Sequence, residues 1–264
     1  MYDKNKLFNF LPWIIPCVVI IAWSVNAFFE IVPNYLIPSP KQIIKAAKIY
    51  VFDATGSSPY AGRFLSDMTV SLGRVFLGFI LAVFIGVPLG LWSGRSSVLS
   101  RILNTTVNSI RAVPGIAWLP LAIVWFGIGT NVTIFLIALA AFFPIYTNSF
   151  VGGKQVEVKL IRAGAMLGVD RFQSFIHIVL PASMPYLVPG LRLGLAVSWA
   201  YLVLGELTGV QNGLGALIMD ARMVGRVDLI IVGIISIATI GKLSDIILIS
   251  GLKRFFLSVR RIVK

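Results

Sequence analysis

Arg162-Ala163-Gly164-Ala165-Met166-Leu167-Gly168-Val169-Asp170-Arg171-Phe172-Gln173-Ser174-Phe175-Ile176-His177-Ile178-Val179-Leu180-Pro181 is a polar, basic stretch between apolar runs long enough to cross a bilayer. Residues Glu157–Leu167 read as a short helix whose small centre, Ala163, Gly164 and Ala165, lets another surface approach closely. Gly168 ends it, because glycine readily takes the left-handed conformation. Asp170 and Gln173 have the spacing of a capping box for a second helix. That helix carries Phe172, Phe175, Ile176 and Val179, with Pro181 marking its end and Pro185 and Pro189 opening the next apolar run. The reading is a helix–turn–helix held beneath a membrane and shaped to enter a partner's groove; the rival reading is an ordinary connecting loop.

The surrounding chain sets the class. It has 264 residues, 58% hydrophobic and 12% charged, with a mean hydropathy of +0.92. A soluble domain carries about 25% charged residues, so a polytopic membrane protein is expected, as one integral bundle over residues 1–264. The net charge of +13 fits membrane orientation better than nucleic-acid binding, which needs basic residues clustered on a water-facing domain. Cys17 is the only cysteine and His177 the only histidine. A disulfide within the chain and a histidine-cluster metal site are excluded. No phosphate loop occurs, so the chain is expected not to hydrolyse nucleotide and to be no enzyme.

Hydropathy outlines six spans, at about 11–32, 69–92, 107–126, 132–150, 186–207 and 229–251, each near the roughly 20 residues a 30 Å hydrocarbon core requires. A signal peptide is the alternative for the first, Val25-Asn26-Ala27 loosely fitting a cleavage site. With the amino terminus inside, the cytoplasmic segments hold Lys4, Lys6, Arg95, Arg101, Lys154, Lys159, Arg162, Arg171, Lys253, Arg254, Arg260, Arg261 and Lys264 against Asp3, Glu157 and Asp170. The opposite loops hold Lys41, Lys45, Lys48, Arg63, Arg222 and Arg226 against Glu30, Asp53, Asp67, Asp220 and Asp228. That asymmetry puts both termini, and the central segment, in the cytoplasm. In the first outer loop Ser39 can cap and Pro40 can open a helix with Lys41, Lys45 and Lys48 on one face. With Ile43, Ile44, Ala47 and Val51 as apolar surface it reads as an interfacial helix, or as a docking face for an acidic external partner. Gly56-Ser57-Ser58-Pro59 follows as a turn.

The spacing of the central segment resembles the signature of ABC importer permeases: Glu-Ala-Ala, three residues, Gly, nine residues, Ile, any residue, Leu-Pro. Here Arg162-Ala163-Gly164 stand at the triplet, Gly168 at the glycine, and Ile178, Leu180 and Pro181 at the end. Arg162 replaces the acid and Gly164 the second alanine. Arg111-Ala-Val-Pro-Gly-Ile-Ala-Trp-Leu-Pro-Leu-Ala-Ile-Val-Trp-Phe-Gly127, Phe143-Pro-Ile-Tyr-Thr-Asn148, Leu36-Ile-Pro-Ser-Pro40 and Gly241-Lys-Leu-Ser-Asp245 look like the nitrate/sulfonate/taurine/bicarbonate branch, with aliphatic-sulfonate and taurine permeases most similar in appearance. The resemblance implies an all-α bundle of six transmembrane helices, a type I importer core of the methionine- and maltose-permease kind with a cytoplasmic coupling helix at 157–181. It also implies a bacterial plasma-membrane location, a second permease copy, two ATPase subunits that hold ATP and Mg, an external solute-binding protein, and no cofactor in this chain. The implied ATPase-docking residues are Glu157, Arg162, Ala163, Gly164, Ala165, Gly168, Val169 and Asp170.

Intramembrane charges are functional candidates by default; here they are Arg74, Arg111, Arg192, Glu206, Lys242 and Asp245. Lys242 and Asp245, three apart, read as a self-neutralising pair. Arg74 and Arg192 can snorkel from span ends. Glu206 fits a gate and a structural anchor equally. The polar residues available to a path through the membrane are Asn108, Ser109, Thr147, Asn148, Ser198, Tyr201 and Glu206. The expected function is an ATP-driven import permease for a small anion, a sulfonate or taurine, with nitrate, bicarbonate or another small solute as alternatives. An ion-driven secondary transporter is the rival class. Bilayer lipid is a partner on either reading, and nucleic acid is not.

Overall fold

The computed structural model describes residues 4–29, 31–54 and 58–262, so Gly56 and Ser57 of the expected turn, and Asp3, Glu30 and Lys264 of the charge count, lie outside the described residues. All its regular elements are helical. They are α1 (Lys4–Phe29), α2 (Pro40–Phe52), α3 (Phe64–Arg95), α4 (Ser97–Leu99), α5 (Thr105–Arg111), α6 (Leu119–Phe126), α7 (Thr130–Gln155), α8 (Val158–Met166), α9 (Arg171–Ser174), α10 (Leu180–Glu206), α11 (Leu214–Met223) and α12 (Val227–Ile262). Four stretches are long and apolar enough to cross a membrane: Phe64–Arg95, Thr130–Gln155, Arg171–Glu206 and Val227–Arg254. The described apolar part of α1, Ile14–Phe29, is shorter.

The segment expected as a span at 107–126, with Pro114, Gly115 and Pro120 inside it, is bent. Ser97–Arg111 and Gly115–Phe126 meet at 87°. Pro114 explains the break, since a proline drives the residue before it, here the β-branched Val113, out of the helical region. Pro181 behaves in the opposite way: Arg171–Glu206 is one 36-residue helix running through it. A π-turn over Phe175–Val179 lies just upstream. This wider turn makes room where a proline ring would otherwise strike the carbonyl four residues back.

The chain divides into two compact units, 1–65 with 217–235 and 66–216 with 236–264. In the first, α2 begins with the expected cap: the Gln42 amide donates to Ser39 Oγ at 3.4 Å and the Ser39 amide to Gln42 Oε1 at 3.0 Å. Ile43, Ala46 and Tyr50 are buried against Leu217, Ala221, Leu229 and Val232. This face of α2 is therefore packed into protein, while Lys41, Lys45 and Lys48 remain exposed. The indole N–H of Trp23 donates to the Pro38 carbonyl at 3.0 Å. Arg226 donates to both oxygens of Asp228, at 2.9 and 2.7 Å, and this bond raises its guanidinium above the ordinary arginine value.

In the second unit α7 lies between α3 and α10, and small residues set both contacts. A Cβ at Gly78 of α3 would stand 2.5 Å from Ile137 Cγ2, and one at Gly90 2.6 Å from the Tyr146 carbonyl. On the other side, Gly190, Gly194 and Gly205 of α10 face Asn148, Ile145 and Thr133. Close approach of this kind is how helices gain contact in lipid, where the hydrophobic effect does not drive them together.

Candidate functional site

Three places concentrate polar chemistry, all within the second unit. The first is the element between α7 and α10. Glu157 is the cap residue of α8, and its side chain makes no capping bond. At the far end Gly168 takes φ +80°. The Val169 amide donates to the Gly164 carbonyl at 3.0 Å and the Gly168 amide to Ala165 at 3.1 Å. Together they form the paired bonds of a Schellman motif. The chain re-enters a helix at once: the Gln173 amide donates to Asp170 Oδ1 at 2.7 Å and the Asp170 amide to Gln173 Oε1 at 3.4 Å. Arg95, at the end of α3, donates to the Val156 carbonyl at 2.9 Å and fixes the start of the element.

Glu157, Arg162, Ala163, Ala165, Gly168 and Asp170 are exposed and Val169 is half-buried. Gly164 is not on the outer face. It is buried against Ile178, whose Cδ1 occupies the space of a missing Cβ. Its smallness therefore serves packing inside the element, which spacing alone did not indicate. The outer surface joins the charged Glu157, Arg162 and Asp170 to large apolar residues: Met166 is 87% exposed, Leu167 84% and Phe172 72%.

The second place is a cavity of about 320 Å³ where the bend after α5 meets α7 and α10. Arg111, Gly115, Phe143, Thr147, Asn148 and Tyr201 contribute to its wall. Three of the expected path residues, Thr147, Asn148 and Tyr201, thus meet. Asn108 and Ser109 are exposed on α5 and bond locally, Asn108 to the Asn104 side chain just before it and Ser109 to the Thr105 carbonyl. Ser198 is fully buried and donates to the Gly194 carbonyl at 2.8 Å. None of these three is on the wall.

Glu206 is not there either. It is fully buried and forms the third place, with Asp67, Ser71, Arg74 and the start of α11. Ser71 Oγ and Arg74 Nη1 donate to Glu206 Oε1 at 2.8 and 2.7 Å, and the Gly215 amide to Oε2 at 2.7 Å. The Gly213 amide donates to Asp67 Oδ1 at 3.1 Å and the Leu214 amide to Ser71 Oγ at 2.9 Å. Three successive amides at a helix start, which have no partner inside the helix, are each taken by a side chain. Arg74 also donates to the Asn212 carbonyl at 2.7 Å and, through Nε and Nη2, to Thr130 Oγ1 at 3.3 and 3.1 Å. Arg74 therefore does not snorkel; it is 6% exposed and binds α3, α7, α10 and the turn before α11 together.

Asp245 likewise pairs across helices. It accepts from Arg192 Nε and Nη2 at 3.0 Å each, in place of the expected local pair with Lys242. The 21 residues of α3 from Arg74 to Arg95 span about 31 Å at 1.5 Å per residue, the thickness of a hydrocarbon core. The buried cluster and the α8–α9 element thus stand at opposite ends of the bundle.

Residues 86–250 match the model of the family described as binding-protein-dependent transport system inner membrane component. The chain belongs to that family. It is 34% identical over 232 residues, 88% of this chain and 81% of the relative, to a Bacillus subtilis protein named as an aliphatic-sulfonates transport permease. Similarity to the taurine transport system permease protein of Escherichia coli is 33% identity, over 87% of this chain and 82% of that one. For the nitrate import permease of Synechocystis it is 29%, over 89% and 84%. In fold, the chain is similar to a chain from inward-facing conformations of the MetNI methionine ABC transporter. The TM-score is 0.60 at 19% identity, over 77% of this chain and 99% of that one. The protein is thus a multi-pass inner-membrane transport component with an all-helical ABC-importer permease fold.

Proposed function

We propose that this chain is the permease subunit of an ATP-driven importer for a small anion, a sulfonate or taurine, with nitrate or bicarbonate as the next candidates. Two copies would flank the path. Two ATPase subunits, which hold the ATP and Mg, would dock beneath it, and an external solute-binding protein would deliver the solute. Both termini and α8–α9 lie in the cytoplasm on this reading, as the basic bias of those segments favours. The carrying observation is the rigid α8–α9 element. It is closed at its turn by a Schellman motif and a capping box, and it presents Met166, Leu167 and Phe172 to solvent. Exposed apolar side chains on a fixed short helix are what insertion into a groove requires. Motion of the ATPases would reach the bundle through Arg171–Glu206, which is continuous with the element.

The test is co-purification with the cognate ATPase. Wild type should co-elute and support ATP-dependent uptake. Gly168→Val, which forces a β-branched residue to φ +80°, should lose coupled uptake. Wild type that neither binds an ATPase nor needs one would defeat the reading.

A further inference from the structure

Arg111 ends α5 at the 87° bend, on the wall of the cavity that also holds Phe143, Thr147, Asn148 and Tyr201. Along α7 the wall runs from Leu139 to Asn148; these are about 14 Å from the helix start and about 10 Å from its end at 1.5 Å per residue, so the cavity lies at mid-bundle. No hydrogen bond or ion pair engages Arg111 among the described residues, and no carboxylate lines the cavity. Arg111 is exposed in the isolated chain; facing a membrane interior at this depth without a counter-charge it would be costly, unless water or an anion meets it. The neighbours supply further donors. The Tyr201 hydroxyl lies against Gly115, where any Cβ would overlap it. It has no partner among the described residues. Asn148 spends one N–H on the Pro144 carbonyl at 2.8 Å and retains another. Thr147 donates to the Phe143 carbonyl at 2.8 Å, so it offers no donor. A planar guanidinium with adjacent N–H and O–H donors matches two oxygens of an oxyanion. The remaining wall is apolar, with Phe143, Leu193 and Val197, and the volume reaches the lower end of the about 300–1,000 Å³ typical of ligand sites.

We infer that Arg111, with Tyr201 and Asn148, holds the head of a small monovalent oxyanion inside the membrane, a stop on the import path where solute is selected by charge. This rests on the permease reading above. One cation in an apolar wall favours a monoanion over a dianion, which would remain half-compensated.

The test uses the purified permease–ATPase complex in nanodiscs with radiolabelled ethanesulfonate and nitrate as probes and sulfate and neutral ethanesulfonamide as competitors. Co-elution of the ATPase is scored for every variant. At least one of the two monoanions should bind wild type saturably and resist both competitors. Arg111→Gln should weaken binding about tenfold or more, as expected for losing a charge-assisted hydrogen-bond pair. Arg111→Lys should fall between, and Tyr201→Phe should weaken it about fivefold. Unchanged affinity in an assembled Arg111→Gln complex, or wild type that binds neither probe, overturns the inference and leaves the permease reading standing. If Arg111→Gln does not assemble, Tyr201→Phe decides: unchanged affinity overturns the inference. Failure of wild type to co-elute with any ATPase would instead count against the permease reading.

Discussion

Replacing Glu206 by Gln changes one atom in the buried cluster and upsets its hydrogen-bond pattern. The carboxylate accepts from Ser71 and Arg74 on Oε1 and from the Gly215 amide on Oε2. An amide has a single acceptor oxygen. Whichever way it turns, its NH2 faces either Arg74 and Ser71 or Gly215, all donors. Arg74 at the same time loses the carboxylate it meets at 2.7 Å while staying 6% exposed. Removing one member of a buried pair costs about 3–5 kcal/mol. For a chain of this size each kcal/mol lowers the midpoint by about 2–4 °C, so Glu206→Gln should lose about 6–20 °C. Thermal unfolding of the detergent-solubilised protein, followed by tryptophan fluorescence, measures this. The double variant Arg74→Met with Glu206→Leu removes both charges and should lose less than the two single changes summed. A Glu206→Gln midpoint within a degree of wild type, or strictly additive losses, would refute the claim that this carboxylate ties α3, α10 and the start of α11 together.

Gly213→Ala should mimic that loss, because its Cβ would stand 2.5 Å from Glu206 Cδ at φ +139°; the same unfolding assay should show a drop of at least about 4 °C for a strained, clashing residue. Asp170→Ala should remove the capping box and about 1 kcal/mol of local stability, weakening ATPase association severalfold in a pull-down titration while leaving the midpoint nearly unchanged. Arg162 is exposed at the first position of the triplet, where the signature it resembles has Glu. If its charge faces an acidic ATPase rim, Arg162→Glu should weaken association about threefold to tenfold at low salt and less at high salt.

The parts of the fold legible in the sequence are local. Ser39 as a cap, Asp170 with Gln173, and Gly168 declare themselves through residue type, a partner three residues away or one residue's own backbone freedom, and all three form as read, Gln42 completing a capping box at Ser39. Pairings across the chain were hidden. Glu206 and Arg74 are 132 positions apart, and nothing in either neighbourhood names the other. Asp245 has Lys242 at helical spacing, yet a bidentate arginine on α10 is the partner it takes. Hydropathy sees apolar length but not direction: Pro114, Gly115 and Pro120 inside the segment from Val107 to Phe126 signal a bend or break, but not the 87° turn that Pro114 makes. That turn is what brings Arg111 to Thr147, Asn148 and Tyr201. Pro181 misleads for the converse reason: a π-turn upstream absorbs it.

Uptake into proteoliposomes tests the central claim most directly. The permease is reconstituted alone, with the cognate ATPase, and with the ATPase and its solute-binding protein, and labelled ethanesulfonate or taurine is followed with and without ATP on the ATPase side. The account predicts accumulation only with all three proteins and hydrolysable ATP, unaffected by collapsing ion gradients. Accumulation by the permease alone that follows an ion gradient and ignores ATP would contradict it.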